Sequence, residues 1–229
     1  MILKMTNVII FCIFYDDNTR AYIEKNYGHL KWLYPVKNPH CDKYLESGFM
    51  ATWLHDNKHL WQDKDYVGCL SWKFSTKMPI PNFDNLSTDL DFVGFLYTPY
   101  TLFAGARDHP QFEYLFTTIL KTMGYREEEI ASPKIPGFYC NYFICKPMWM
   151  ELYLVFLRRA IGMMDTKEEI QAALFSDAKY QNDNKYSEER LVALFGKPYY
   201  THHCFVLERL PSFFFWRHGA KMGVSLPLT

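Results

Sequence analysis

Tyr44–Phe74, YLESGFMATWLHDNKHLWQDKDYVGCLSWKF, is the stretch that decides the fold class. Residues 42 to 61 place Leu45, Phe49, Trp53 and Leu60 or Trp61 at rough helical spacing, with Glu46 near the start. A stripe of that period buries one face of a helix. From Asp65 the chain turns into a strand-like run that closes on Ser71-Trp72-Lys73-Phe74, an aromatic and basic cluster. Open α/β sheets bind ligands outside the carboxyl ends of their strands, so this cluster marks a candidate ligand edge.

Similar units extend in both directions. VIIFCIF (8–14) is continuously apolar, as a central strand covered on both faces must be. A helix is predicted around Thr19 to Lys25, a loop at Pro35 to Pro39, and a strand at Phe92 to Tyr97 after a polar loop from Thr76 to Leu90. Between Pro110 and Met123, Phe112, Leu115, Phe116, Ile119, Leu120 and Met123 share one helical face. Proline at its start and Gly124 at its end bound that helix. FYCNYFICK (138–146) reads as a strand, and Pro147 opens a helix to about Gly162. Thr166 with Glu169 predicts a capping box, and Ser187 caps a helix ending at Gly196. THHCFVLERLPSFFFW (201–216) reads as a strand passing into a helix. This alternation predicts a single α/β domain over residues 1–229, with a mixed, mainly parallel central sheet flanked by helices.

Composition narrows the partners. With 25 basic and 25 acidic residues and no basic stripe, the chain does not read as a nucleic-acid binder. An aromatic share of 18% fills a core or stacks on sugars and bases. Six cysteines without a C-x-x-C pair read as reduced thiols in a cytoplasmic compartment. The early apolar run is too short to span a bilayer and meets Asp16 and Asp17 at once, so no transmembrane segment or signal peptide is expected.

Several residues could carry chemistry. Asp89-Leu90-Asp91 has a D-x-D form, and in an extended segment both carboxylates point to one side. They could hold Mn²⁺ or Mg²⁺, which would also bind a diphosphate. Capping of loop amides is the plainer alternative. A second triplet, Asp63-Lys64-Asp65, precedes its strand and lies at the wrong end for a ligand. The Asp89 pair stays at the ligand edge if strand 92–97 runs back antiparallel. Lys73 could meet a phosphate and Trp72 a base or sugar face, or the two are a solvated lysine beside a core ring. Phe14, Tyr15 and Asp16 end the first strand, where a nucleotide would lie, although Asp16 also suits a simple turn. One of His202 and His203 could join the Asp pair on a metal, with a structural role as the alternative. Glu208 could accept an acceptor hydroxyl's proton, or pair internally with Arg209.

YLESGFMATWLHDN, DYVGCLSWKF, HPQFEYLFTTIL, NYFICKP and CFVLERL follow one another in an order that resembles a family of bacterial capsular and exopolysaccharide glycosyltransferases. Its members tend to show a Y-C-E-L-T…W-K-N helix and a Y-V-G-L-C-H-Y-R-R-Y-F strand, then P-x-Y, N-M-F-I-M-K and F-L-x-E-R-L segments. Similar short domains occur in large algal viruses that glycosylate their own capsids, which would place the protein in a host cytoplasm. The resemblance spans about residues 44 to 210 and implies a GT-A-like fold, a nucleotide-sugar donor and a glycan or glycoprotein acceptor. It points to Glu46, Trp72, Lys73, Asn141, Glu208 and Arg209. The family's H-Y-R-R stands here as Ser71-Trp72-Lys73-Phe74, one basic residue short, and a metal on Asp89 and Asp91, with His202, could supply the missing positive charge. The function the resemblance implies is a metal-dependent transferase using a nucleotide-diphosphate donor of the UDP-sugar type; a non-catalytic glycan-binding module is the alternative.

Overall fold

A computed structural model describes residues 6–39, 41–84, 86–95, 97–101, 109–138, 140–180 and 186–224. In chain order the strands are β1 (Val8–Phe14), β2 (Leu33–Lys37), β3 (Tyr66–Ser71), β4 (Phe92–Gly94), β5 (Tyr97–Thr101), β6 (Pro136–Phe138), β7 (Phe143–Cys145) and β8 (Met222–Val224). The helices are α1 (Asp17–Tyr27), α2 (Leu45–Phe49), α3 (Phe112–Thr122), α4 (Glu127–Ile130), α5 (Pro147–Thr166), α6 (Glu168–Leu174), α7 (Glu188–Phe195), α8 (His203–Leu207) and α9 (Leu210–Arg217).

Six strands form one mixed sheet in the order β2-β1-β3-β7-β4-β8, and β5 pairs with β6 beside it. β1 pairs in parallel with β2 and with β3; β7 is antiparallel to both β3 and β4, and β4 is parallel to β8. β7 alone therefore runs against the other five. From β1 the chain crosses through α1 to β2 on one side, then returns through α2 to β3 on the other. That reversal makes the crevice outside the carboxyl ends of β1 and β3 the topological switch point of the sheet.

Alternation along β1 explains why the strand is apolar throughout. Phe11 and Ile13 enter the larger core, with α3, α5 and α9, while Ile10, Cys12 and Phe14 enter a second core against Ile23 and Tyr27 of α1. Both faces of the sheet are covered, as expected for strands joined by crossover helices. All six cysteines are free. No described helix is long and apolar enough to cross a membrane.

The structure corrects several boundaries of the sequence reading: residues 35–37 lie in β2 rather than a loop, β4 stops at Gly94, and 138–146 is not one strand but holds the end of β6 and all of β7. It departs from that reading in four larger respects as well. First, β4 runs parallel to β3, not back against it, because antiparallel β7 lies between them. Second, 201–216 holds no strand: α8 and α9 occupy it. Nearly every residue there is buried, and an apolar run buried on all sides has no periodicity to separate strand from helix. Third, Thr166 is the last residue of α5 and its hydroxyl donates to the Gly162 carbonyl, so no capping box starts α6. Fourth, 42–61 is not one helix. α2 begins at Leu45, widens to π-helical hydrogen bonding over Met50–Leu54, and a 3-10 turn follows at Lys58–Leu60. The Ser187 cap and the left-handed Gly196 stand as expected.

Candidate functional site

At the carboxyl ends of β1 and β3 the sheet opens into a cleft. β7 runs the other way, so the turn that leads into it arrives at the same edge. Leu45 and Glu46 of α2, Ser71 at the end of β3 with Lys73 and Lys77 beyond it, Cys140 and Tyr142 before β7, and Cys204 and Phe205 of α8 with Glu208 just after it line the cleft. Tyr180, Tyr186 and Tyr200 complete the wall, and the enclosed space is about 80 Å³.

Local structure accounts for each position. β1 ends one residue before Tyr15, whose hydroxyl donates to Glu46 Oε1 at 2.7 Å and ties the strand end to α2. Burial, then the Glu46 carboxylate, holds the Tyr15 phenol well above its ordinary pKa, so it remains a donor. β3 ends at Ser71, and a 3-10 turn over Phe74–Thr76 carries the chain on to Lys77. Lys73 and Lys77 flank that turn, and both line the cleft. Lys77 Nζ donates to Cys140 Sγ at 3.3 Å and lies 5.6 Å from the centre of the Tyr142 ring. The Tyr142 hydroxyl in turn bonds the Ser71 hydroxyl across the β3–β7 seam.

Cys140 and Asn141 both have left-handed backbones, with φ of 64° and 54°. The other described non-glycine residues with positive φ are Leu45, which lines the cleft, and Lys179, which precedes the lining Tyr180. Each such conformation costs about 1–3 kcal/mol and persists where the surroundings impose it, often at functional sites. Asn141 is buried, and its Nδ2 donates to Ser47 Oγ at 2.8 Å, which fastens this turn to α2.

The electrostatics are those of a desolvated, mixed-charge site. Burial raises the Glu208 carboxyl above its usual range; Lys77 and Arg209 oppose that shift and Glu46 adds to it. Lys73 is lowered, first by burial and next by the nearby Lys77. Burial would also lower Lys77, but Cys140, Tyr142 and Glu208 outweigh it and hold the ammonium above its ordinary range. The Cys140 thiol is pushed up to about 11, mainly by burial, and so is neutral at pH 7.

Of the residues expected from sequence, Tyr15, Glu46, Lys73 and Glu208 come together here, with Asn141 buttressing the wall. Others go elsewhere. Phe14 is buried in the second core, and the Asp16 side chain accepts from the Thr19 amide as the N-cap of α1. Trp72 packs edge-on against Tyr22 at 5.2 Å, with Lys73 Nζ 5.5 Å from its ring. Arg209 turns inward: Nη1 donates to the Phe205 carbonyl at 2.9 Å and the guanidinium lies 4.9 Å from the Phe112 ring.

The expected metal ligands do not meet. Asp89 and Asp91 precede β4 and therefore lie at the amino edge of the sheet. The Tyr66 hydroxyl, at the start of β3, donates to the Leu90 carbonyl at 2.6 Å and pins the loop to that edge. Asp91 is held there by Lys146 at 3.0 Å and by the Lys221 amide at 2.9 Å. His202 is fully buried, its ring 6.5 Å from that of His109. No group of three metal-ligating side chains occurs among the described residues. The Asp89–Asp91–His202 set does not fit one divalent ion.

Sequence reasoning missed Lys77, Cys140, Tyr142 and the three wall tyrosines. Lys77 carried no spacing signal, because a 3-10 turn does not align residues four apart. The left-handed Cys140–Asn141 turn carried none, because neither residue is a glycine.

Compared with known proteins, the chain matches no family model, no curated protein and no solved structure. Fold and site together define an α/β protein with a mixed six-stranded sheet and a charged, tyrosine-walled cleft at its switch point.

Proposed function

We propose that the protein is a glycosyltransferase that moves a sugar from a nucleotide-diphosphate donor, of the UDP-sugar type, to a glycan or glycoprotein hydroxyl. The observation that carries this reading is the pairing, in one cleft, of a carboxyl raised by burial (Glu208) with two ammonium groups (Lys73 and Lys77). A carboxyl tuned upward suits proton transfer near neutral pH, and the ammonium groups suit a leaving diphosphate. In the reaction the bond between the donor's C1 and its phosphate oxygen breaks, and the electron pair leaves with the nucleoside diphosphate. The acceptor oxygen bonds to C1, and its proton passes to the ionised Glu208 carboxylate. Glu46, held by Tyr15, is placed to bind sugar or ribose hydroxyls, and the tyrosines offer ring faces to a sugar or base.

The mixed, mainly parallel sheet supports a GT-A-like architecture, and its switch-point cleft lies where such folds hold nucleotides. The test is nucleotide release from a panel of UDP-, GDP- and CMP-sugars, with mixed glycan acceptors, read by mass spectrometry. Turnover of one donor class that falls by roughly 100-fold or more in Glu208→Gln supports the reading. Oligosaccharide binding with no nucleotide turnover or binding would replace it with a glycan-binding module.

A further inference from the structure

Lys73 and Lys77 reach the same cleft from one short turn, and neither forms a salt bridge among the described residues. Glu46 attracts Lys73 and Glu208 attracts Lys77 across the cleft, but neither carboxyl closes a salt bridge with them among the described residues. Lys77 Nζ rests on the Cys140 thiol at 3.3 Å and near the Tyr142 ring, and Lys73 Nζ lies by the Trp72 ring. Thiol and rings are neutral at pH 7. The charged Glu46 carboxylate accepts from the neutral Tyr15 hydroxyl, held toward the β1 end of the cleft. Two like charges held close in a partly desolvated cleft repel, and an anion between them relieves the repulsion. The carboxylates that sequence offered for a metal lie at the opposite edge of the sheet, engaged by Lys146 and the Lys221 amide.

We propose that Lys73 and Lys77 form a two-ammonium clamp that binds the diphosphate of the nucleotide directly, with no divalent metal ion required. The proposal rests on the transferase reading and specifies how that site recognises its donor. The two cations come from either side of one short turn, Lys73 before it and Lys77 after it. Because the left-handed Cys140–Asn141 turn is fastened to α2 through Ser47, the partner that holds Lys77 in place is itself fixed. A clamp on the diphosphate favours a nucleoside diphosphate over the monophosphate.

Calorimetric titration with UDP, GDP and CMP, each in EDTA and in Mn²⁺, tests this on the full chain, with UMP as the control for any UDP signal. The expected result is binding of a nucleoside diphosphate in EDTA, changed by less than about threefold by Mn²⁺ and weakened at least about tenfold in Lys77→Gln. UMP should bind more weakly than UDP. Lys77 is an exposed residue outside the hydrophobic cores, so the variant is expected to keep its fold, which circular dichroism checks; Lys73→Gln gives an independent second reading. Binding that appears only with Mn²⁺, or that survives both lysine substitutions, overturns the clamp and leaves the transferase reading in place. Absence of binding by every nucleotide, with and without metal, overturns the transferase reading itself.

Discussion

Glu208 and Tyr15 show how single side chains acquire roles that their residue types do not announce. Glu208 lies at the end of α8, between a core that strips its water and a cleft that admits substrate, and so its carboxyl is raised. The activity of the proposed transferase should therefore rise with pH through the Glu208 titration, and this limb should vanish in Glu208→Gln, as a kcat/KM profile would reveal. Tyr15→Phe removes the donor to Glu46 without changing the ring. A lost hydrogen bond of this kind is worth about 0.5–1.5 kcal/mol. If Glu46 contacts the donor, Tyr15→Phe should weaken donor binding by roughly three- to tenfold; unchanged binding would remove Glu46 from the site. At this scale the sequence was partly legible. Tyr15, Glu46, Lys73 and Glu208 were readable because strand ends and charged residues in apolar segments stand out. Asp89 and Asp91 misled because a D-x-D triplet says nothing about which edge of the sheet it occupies.

At the scale of elements, the seam between β3 and β7 sets the geometry of the cleft. Gly68 is buried in β3 where a Cβ would collide with the Phe143 carbonyl and the Ile144 side chain. Gly68→Ala must push β7 away, which should cost about 1–3 kcal/mol by overpacking and disturb the Ser71–Tyr142 contact at the cleft floor. A denaturant midpoint equal to that of the unmutated protein would show that the seam is looser than described. Ser187→Ala should cost about 1 kcal/mol, because the hydroxyl accepts from the Arg190 amide as the N-cap of α7. β1, β3, α3 and α7 were legible because period, caps and glycine stops all agreed. The direction of β4 was not, since it depends on a strand, β7, that arrives some fifty residues later. Nor was α8, where burial on every side erases the periodic signal.

At the scale of the whole molecule, α8 joins the large core to the cleft, and its first turn contains a titratable layer. Burial lowers His202 to about 4 and His203 to about 3. The folded protein thus favours neutral imidazoles, whereas the unfolded chain takes up protons near 6.5. Stability should be fully present above that value and decline as the pH falls toward 4. Denaturant melts at pH 7 and pH 5 should show the loss, and a midpoint that did not fall would contradict the burial of these rings. Because Phe205 and Glu208 follow on the same segment, the loss of stability should extend to the cleft. The central claim is that a nucleotide occupies the cleft at the carboxyl edge of the sheet. Hydrogen–deuterium exchange of the full chain with and without UDP tests it most directly. The account predicts slowed exchange in residues 71–77 and 140–142, and none in residues 86–91. Protection confined to 86–91 would contradict it.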